Sequence, residues 1–189
     1  AIKGLQLEQL NAALKDHDIE VTLYRMPKGE PTTDFLESCL QLVNNSRCDG
    51  IVAIGGGSAL DLGKAVAALA LNNGVSISEL AQMPSIKRLP FIAVPTTAGT
   101  GSEATKVTVI TDSAKGIKLN PGHPDLVPDI AILDPVLTLG VPHHITAFTG
   151  IDALTHAIEA YVSTKATILS DLYALQAIEM ITANIIKAY

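Results

Sequence analysis

The feature that most constrains this fold is an apolar run that ends in three glycines and continues at once into a helical pattern. Residues 50–54 (GIVAI) are continuously apolar, which is typical of a strand buried on both faces. Residues 55–57 are glycines, and residues 58–71 have helical spacing. Glycines let a phosphate approach the backbone closely, and the N–H groups at a helix start favour an anion. The pattern predicts an anion-binding turn, in which Ser58 caps the helix or donates its hydroxyl to a phosphate oxygen.

This turn does not match either of two standard phosphate-binding sequences. A Walker A sequence would have glycine in place of Ser58 and serine or threonine in place of Ala65. The dinucleotide fingerprint GxGxxG would have glycine in place of Leu60. The residues alone therefore predict an anion without naming it, and a plain strand–helix turn remains the alternative.

A second polar segment follows the next predicted strand. Residues 90–94 (PFIAV) are predicted to be a buried strand, and residues 95–103 (PTTAGTGSE) are dense in hydroxyls and glycines. Ligands of an open α/β sheet bind at the carboxyl ends of its strands. Two such segments can hold one extended ligand, so we predict a binding loop here, with a flexible Ser/Thr/Gly loop as the alternative.

Apolar periodicity divides the chain into an alternating part and a helical part. In the alternating part, the predicted helices are Gly4–Lys15, residues 33–43 ended by Asn44 and Asn45, and residues 58–71. The predicted strands are residues 19–24, 50–54, 90–94, 106–111 and 129–133. In the helical part, residues 144–163 and 166–189 are predicted to form two helices with no strand between them.

This order of elements predicts an α/β fold with a parallel sheet, followed by the start of an all-helical domain. We place the boundary near residues 138–146, which gives domains 1–140 and 141–189. The first helix has no strand before it, and the last has no glycine or proline stop signal. We therefore expect the chain to be an internal piece of a longer protein.

One acidic and one imidazole side chain share a predicted helix face. Asp152 and His156 are four residues apart, so both project from the same side. A carboxylate and an imidazole suit Fe(II) or Zn(II), although a complete site needs further ligands. The alternative is that Asp152 is a carboxylate favoured by the helix dipole. Weaker ligand candidates in the chain are His17, His123, His143, His144 and Glu159.

Composition narrows the classes of function. The net charge is −6 with 13 Lys and Arg, and no basic run interleaved with aromatic residues is present, which argues against nucleic-acid binding. The longest apolar run, residues 65–71, is too short for a membrane span, and no secretory signal pattern is visible. Cys39 and Cys48 lack metal or disulfide spacing, so we expect reduced thiols in a cytoplasmic protein without membrane partners.

Four motifs in this order and spacing resemble the iron-containing (group III) alcohol dehydrogenase family. They are GGGSALDLGKA at residues 55–65, PTTAGTGSEAT at residues 95–105, ITDSAKGIK at residues 110–118 and GIDALTHAIEAYVS at residues 150–163. The resemblance covers nearly the whole chain. It implies a dinucleotide-binding α/β domain, N-terminally incomplete here, followed by the start of a helical metal-binding domain.

The resemblance also implies roles for individual residues. It implies that Asp152 and His156 are the first two metal ligands, while two further histidine ligands would lie downstream. It implies that the cofactor-binding residues are Gly56, Gly57, Ser58 and Asp61 at the pyrophosphate turn, Thr96, Thr97, Gly99 and Thr100 in the following loop, Val109 and Lys118 near the ribose and nicotinamide, and Leu137 and Thr138 near the adenine.

The implied activity is hydride transfer between a small alcohol or aldehyde and NAD or NADP, with Fe(II), or alternatively Zn(II), in a homo-oligomer, expected to be a dimer. Glycerol dehydrogenase or dehydroquinate synthase chemistry is one alternative, and a non-catalytic nucleotide-binding fragment is another. Two departures from the family pattern stand out. Glu30 lies where the family often has asparagine, and a carboxylate there is expected to disturb a cofactor contact. Pro121 is unusual where a strand would continue, because proline removes a ladder donor.

Overall fold

The structure is a computed structural model that describes residues 4–189, with side chains described from Glu8 onward. The chain forms two units. The first contains the residues up to Thr96 together with Ser102–Asp134, and the second contains Thr97–Gly101 and Pro135–Tyr189. The domain division predicted at residues 140 and 141 stays a prediction.

The first unit contains the strands and the first three helices. Its helices are α1 (Gly4–Lys15), α2 (Thr33–Ser46) and α3 (Gly57–Leu69). Its strands are β1 (Ile51–Gly55), β2 (Phe91–Pro95), β3 (Ile110–Asp112), β4 (Ile117–Leu119) and β5 (Ile130–Ala131). Short 3-10 helices lie at Ile77–Gln82, Ser102–Ala104 and Pro124–Leu126.

The predicted parallel sheet is confirmed. β1 pairs with β2 and β2 with β5, all parallel, in the order β1-β2-β5. Phe91 and Ala93 of the central strand are buried, as the apolar sequence requires. The expectation that β1 is buried on both faces is wrong, because β1 lies at the edge of the described sheet and the side chain of Val52 is 54% exposed.

Helix α3 forms the centre of the core. Nine of its own residues are buried, most of them small or aliphatic, and Leu60, Ala65 and Ala67 are fully buried. Gly63 allows the closest approach to the sheet, because a Cβ atom there would lie 2.7 Å from both the Ala53 Cβ and the Phe91 Cε2. The helix therefore has a fixed position on β1 and β2, and its first residues lie at the carboxyl end of β1.

Several predicted elements differ in the structure. Residues 19–24 are not a strand, since no described strand pairs with them and the side chain of Ile19 is 49% exposed. The predicted strand at residues 106–111 is limited to β3, which pairs with the unpredicted β4 in an antiparallel hairpin. Helix α2 passes Asn44 and Asn45 and ends where Arg47 adopts a left-handed backbone (φ 53°).

Pro121 does not interrupt a strand, because β4 ends at Leu119. The carbonyl oxygen of Pro121 accepts a hydrogen bond from the Thr108 N–H at 3.2 Å. Pro121 thus bonds the neighbouring segment through its carbonyl oxygen. This role does not require an N–H group, which proline lacks.

The second unit contains a 3-10 helix at Pro135–Thr138 and the two predicted long helices, α4 (His143–Val162) and α5 (Ile168–Ala188). The Thr167 side chain caps α5 by accepting from the Ser170 N–H at 3.1 Å. The start of α4 lies beside the end of α5, where the His143 and Tyr189 rings meet edge to face. Within residues 4–189, no helix has the length and apolar character needed to cross a membrane.

Candidate functional site

The glycine turn joins β1 to a helix that no side chain caps. A Cβ atom on Gly55 would lie 2.6 Å from the Ala59 Cβ, so the turn requires glycine at this position. Gly56 is the N-cap residue of α3, in extended conformation (φ −77°, ψ −176°), and it has no side chain to bond the first-turn N–H groups. Gly57 and Ser58 follow at the positive end of the helix dipole, where an anion is favoured.

Ser58 is not the cap of α3, which corrects one of its two predicted roles. The helix begins at Gly57, so Ser58 already lies inside it and the N-cap position belongs to Gly56. A capping side chain needs the non-helical backbone of the N-cap position. The Ser58 hydroxyl stays a predicted donor to a phosphate oxygen.

Thr96 lies directly beside the glycine turn. Its backbone N–H donates to the Gly55 carbonyl oxygen at 2.8 Å, and its side chain is buried. Gly55 and Pro95 are partners in the pairing of β1 with β2. The structure thus brings two candidate segments of the first unit together at the carboxyl ends of adjacent parallel strands, where α/β sheets bind ligands.

Asp61 and Lys64, one turn apart on α3, bind the chain segment 102–109. The Asp61 carboxylate accepts from the Ser102 hydroxyl at 2.6 Å and from the Val109 N–H at 3.1 Å. The Lys64 ammonium donates to the Thr105 hydroxyl at 3.0 Å, and its Nζ lies 3.7 Å from Asp61 Oδ1. Among the predicted cofactor residues, Asp61 and Val109 are therefore in direct contact.

Burial dominates the electrostatics of this pair. It raises the pKa of the Asp61 carboxyl, which the Ser102 hydrogen bond and the Lys64 charge oppose. It also lowers the pKa of the Lys64 ammonium, which attraction to Asp61 opposes. Burial thus disfavours the charged form of each group, and the attraction between the two groups favours it.

Lys118 makes its contacts with Glu30 rather than with another candidate residue. Its ammonium donates to Glu30 Oε1 at 2.7 Å, and Glu30 Oε2 accepts from the Thr111 hydroxyl at 3.1 Å. The hydrogen bonds from Lys118 and Thr111 lower the pKa of Glu30. The carboxylate at position 30 is thus bound to the lysine that the resemblance assigns to the cofactor.

The candidate residues of the second unit lie in two short segments. Thr97, Gly99 and Thr100 belong to the first of these, and a Cβ atom on Gly99 would lie 2.6 Å from the Thr149 Cβ. The glycine therefore lets this segment pack closely on α4. Leu137 and Thr138 are half-buried at the end of a 3-10 helix, where the Thr138 hydroxyl donates to the Pro135 carbonyl oxygen at 2.7 Å.

The carboxylate and imidazole on α4 lie together and face outward. Asp152 Oδ1 and His156 Nε2 are 3.7 Å apart, and the two side chains are 45% and 54% exposed. No group of three or more His, Cys, Asp or Glu within residues 4–189 is arranged to hold a metal ion. The described chain therefore offers these two donor atoms and leaves room for other ligands around them.

Two of the weaker histidine candidates have ring nitrogens bound to protein groups. His123 is buried, with Nε2 3.1 Å from the Met83 carbonyl oxygen and Nδ1 accepting from the Asp125 N–H at 3.1 Å. Nε2 must then carry the proton, so neither nitrogen is available to a metal. The Nδ1 of His143 contacts the Tyr189 carbonyl oxygen.

Lys64 is the site residue that the sequence interpretation missed. It lies within the apolar run of α3, where residues 65–69 on its C-terminal side are all buried. A lysine is almost never fully buried unless it is paired. A lysine within an apolar helical run, three residues after an aspartate, is therefore the sequence signal that predicts a buried ion pair.

Comparison with known families decides the class of protein. The family model described as "Iron-containing alcohol dehydrogenase" matches residues 2–135. The model described as "Fe-containing alcohol dehydrogenase family, C-terminal" matches residues 146–189. The chain belongs to the iron-containing alcohol dehydrogenase family. The resemblance carried by the four sequence motifs is thereby confirmed.

Individual proteins match across nearly the whole chain. "Probable alcohol dehydrogenase EutG" of Escherichia coli is 50% identical over 95% of this chain and 46% of its own length. "NAD-dependent methanol dehydrogenase" of Bacillus methanolicus is 36% identical over 96% of this chain and 48% of its own. The crystal structure of sulfoacetaldehyde reductase from Bifidobacterium kashiwanohense in complex with NAD+ is 34% identical, with a TM-score of 0.83, over 95% of this chain and 50% of that one. The chain thus spans about half the length of these relatives.

Proposed function

We propose that the protein is an NAD(P)-dependent, metal-dependent alcohol dehydrogenase that transfers a hydride between a small alcohol or aldehyde and the nicotinamide cofactor. The pair Asp152 and His156 carries this proposal. Their donor atoms are 3.7 Å apart, and both side chains are about half exposed. They also lie within the segment that matches the family's C-terminal domain.

The two donor atoms fit a first-row metal ion. Metal–oxygen and metal–nitrogen bonds of about 2.0–2.2 Å allow two ligand atoms of one ion to lie up to roughly 4 Å apart. Carboxylate and imidazole together suit Fe(II), with Zn(II) as the second choice. When bound, the metal polarises the oxygen of the alcohol or aldehyde as a Lewis acid while the nicotinamide exchanges the hydride.

The glycine turn supports the nucleotide part of the proposal. Gly56 and Gly57 leave the start of α3 uncapped, and Thr96 lies beside them at the strand ends. A relative named as NAD-dependent and one crystallised with NAD+ match over 96% and 95% of this chain. The proposed cofactor residues are Gly56, Gly57, Ser58, Asp61, Thr96, Thr97, Gly99, Thr100, Val109, Lys118, Leu137 and Thr138.

Each group of residues then has a separate task. Gly56, Gly57 and Ser58 hold the pyrophosphate through N–H groups and a hydroxyl, so the negative charge rests on a helix start. Asp152 and His156 would hold the metal through one oxygen and one nitrogen, whose donor atoms are 3.7 Å apart. Each group of residues would thereby hold its own ligand in one orientation, and such positioning contributes to the rate of a reaction.

Turnover in the whole protein tests the proposal. The purified protein is stripped of metal with a chelator and then supplied with Fe(II) or Zn(II), NAD or NADP, and a panel of small alcohols. We expect NADH or NADPH formation at 340 nm that depends on both metal and alcohol. Activity that survives complete removal of metal, or the lack of activity with every metal and alcohol, contradicts the proposed function.

A further inference from the structure

We propose that Asp61 and Lys64 are positioning residues for the nicotinamide cofactor, because they fix the segment 102–109 against the helix that begins at the glycine turn. This inference rests on the proposed function, in which the first unit binds the cofactor. It changes the role of Asp61 from a cofactor contact to a group that acts through other residues, and it adds Lys64, which none of the sequence motifs assigned.

The buried lysine binds two separate points of the segment. Lys64 is 1% exposed, and its Nζ donates to the Thr105 hydroxyl at 3.0 Å and to the Val107 carbonyl oxygen at 2.8 Å. Both partners lie far along the chain from α3. An ammonium buried to this degree needs such acceptors, because its desolvation is otherwise uncompensated.

Asp61 accepts hydrogen bonds from three other residues of the segment. Its carboxylate oxygens accept from the Ser102 hydroxyl at 2.6 Å and from the Val109 N–H at 3.1 Å. Its carbonyl oxygen accepts from the Thr108 hydroxyl at 2.7 Å. Both carboxylate oxygens thus already have protein donors, and a bare carboxylate next to a pyrophosphate would repel it. These contacts favour a structural partner over a cofactor contact for Asp61.

Regular structure holds only part of this segment. Before β3 begins at Ile110, it contains the short 3-10 helix Ser102–Ala104 and an isolated antiparallel bridge between Val107 and Gly122, where the Thr108 N–H donates to the Pro121 carbonyl oxygen at 3.2 Å. The Asp61 and Lys64 bonds add the contacts that join the segment to α3. They set the position of the Val109 backbone, which carries one of the proposed cofactor contacts.

The glycine turn and the fixed segment are joined by one rigid element. Asp61 lies four residues after Gly57 in α3, which is about 6 Å along the helix axis. Val109 is therefore held at a defined distance from the pyrophosphate turn. Loosening the bonds from α3 should shift Val109 relative to that turn and weaken cofactor binding without touching the cofactor itself.

The test compares Lys64→Met and the double variant Asp61→Asn/Lys64→Met with the wild type in the whole protein. NADH fluorescence titration gives the dissociation constant, and thermal unfolding is measured separately. The matched control is Lys115→Met, because Lys115 and Asp112 also form an i,i+3 pair, with Nζ 3.5 Å from Asp112 Oδ2, but the lysine side chain is 71% exposed.

We expect Lys64→Met to lower the Tm and to weaken NADH binding about fivefold to tenfold at a temperature where it is folded. The double variant, in which no buried charge is unpaired, should recover much of the Tm but not the NADH affinity. The KM for NAD should rise while the KM for the alcohol stays unchanged, whereas simple loss of folded protein would lower kcat alone. Lys115→Met should match the wild type in both measurements.

Two outcomes separate this inference from the proposed function. If folded Lys64→Met and the double variant bind NADH as tightly as the wild type, the positioning role is wrong while the function stands. If the wild type itself does not bind NADH or NADPH, the proposed function fails and the inference fails with it.

Discussion

Each unit of the molecule has an acid–base pair on one helix face. The two pairs have the same interatomic distance but differ in burial and in their hydrogen-bond partners. Asp61 Oδ1 and Lys64 Nζ on α3 are 3.7 Å apart, and Asp152 Oδ1 and His156 Nε2 on α4 are separated by the same distance. The side chains of the first pair are 15% and 0% exposed, and those of the second are 45% and 54% exposed. The first pair is closed by hydrogen bonds to the segment 102–109, and the second pair is open.

The difference shows that spacing along a helix brings two groups together but does not decide what they do. In the first unit, the segment 102–109 covers the pair. The hydrogen bonds of Asp61 and Lys64 are therefore made to protein groups, and the pair stabilises the local structure. In the second unit, the Asp152 and His156 donor atoms reach solvent and retain their capacity for an external ligand. We expect substitutions in the two units to affect different properties for this reason.

The largest expected effect belongs to the open pair. His156→Ala in the whole protein should abolish metal retention and reduce turnover to background, because it would remove one of the proposed metal ligands. Metal content after dialysis, measured by elemental analysis, checks this. The matched control is His144→Ala on the same helix, a weaker ligand candidate that lies outside the proposed pair and whose ring contacts Phe148 at a centroid distance of 6.1 Å.

Unchanged metal content and turnover in His156→Ala would remove the metal assignment. Equal loss in His144→Ala would show that the effect comes from damage to α4 rather than from a lost ligand. Thermal unfolding of both variants should stay close to that of the wild type, since both side chains are exposed.

A smaller effect, on the free energy of unfolding, is expected from glycine substitutions that test the packing of α3 and α4. Gly63→Ala in α3 places a Cβ atom 2.7 Å from the Ala53 Cβ, an atom fixed to the backbone of β1. Overpacking of this kind costs about 1–3 kcal/mol, which exceeds the helix-propensity gain of about 1 kcal/mol for replacing glycine. Gly150→Ala in α4 places a Cβ atom 3.0 Å from Ile185 Cδ1 and 3.3 Å from Ile185 Cγ1, which belong to a flexible side chain that can move.

We therefore expect Gly63→Ala to destabilise the protein and Gly150→Ala to leave it unchanged or stabilise it by up to about 1 kcal/mol. Urea unfolding of each variant, with the free energy of unfolding extrapolated to water, measures the difference. If both substitutions change the free energy of unfolding in the same direction, then the tight packing of α3 on the sheet is not what distinguishes the two helices.

The same contrast explains how much of the molecule could be predicted from its sequence. The glycine turn, the parallel sheet, α3, α4 and α5 follow from local pattern, since apolar runs and helical periodicity are properties of neighbouring residues. The hairpin of β3 and β4, and the absence of a strand at residues 19–24, depend on which distant segment pairs with which. Periodicity carries no information on that pairing.

The candidate site divides in the same way. The Asp152 and His156 pair could be predicted because four-residue spacing on a helix is enough to bring the side chains together. The bonds of Lys64 to Thr105 and Val107 could not, because 41 and 43 residues separate the partners. The role of Ser58 as a cap was wrong by two residues, and helix ends are the least predictable part of a helix.

The smallest predicted effect tests whether a carboxylate held by hydrogen bonds makes the first unit sensitive to acid. Asp129 accepts from the Arg88 guanidinium at 2.6 and 2.9 Å and from the Phe91 N–H at 2.7 Å, beside β2 and β5. The Arg88 hydrogen bonds, above all, lower the pKa of Asp129. A carboxyl with a lowered folded-state pKa stabilises the protein above its unfolded-state pKa of about 3.9, and this stabilisation is lost as the pH falls through the folded-state value.

Asp129→Asn should therefore be less stable than the wild type at neutral pH, and the difference between them should shrink as the pH falls below about 4. The pH-dependent part should be no more than about 1 kcal/mol, because half of the Asp129 side chain is exposed to solvent. Urea unfolding at several pH values, repeated in an Arg88→Met background, checks the cause. With Arg88 removed, the pH-dependent difference should largely disappear, since the group that lowers the pKa is gone. A difference that stays constant with pH, or that survives in the Arg88→Met background, would mean that the hydrogen bonds of Asp129 stabilise this end of the sheet in either protonation state.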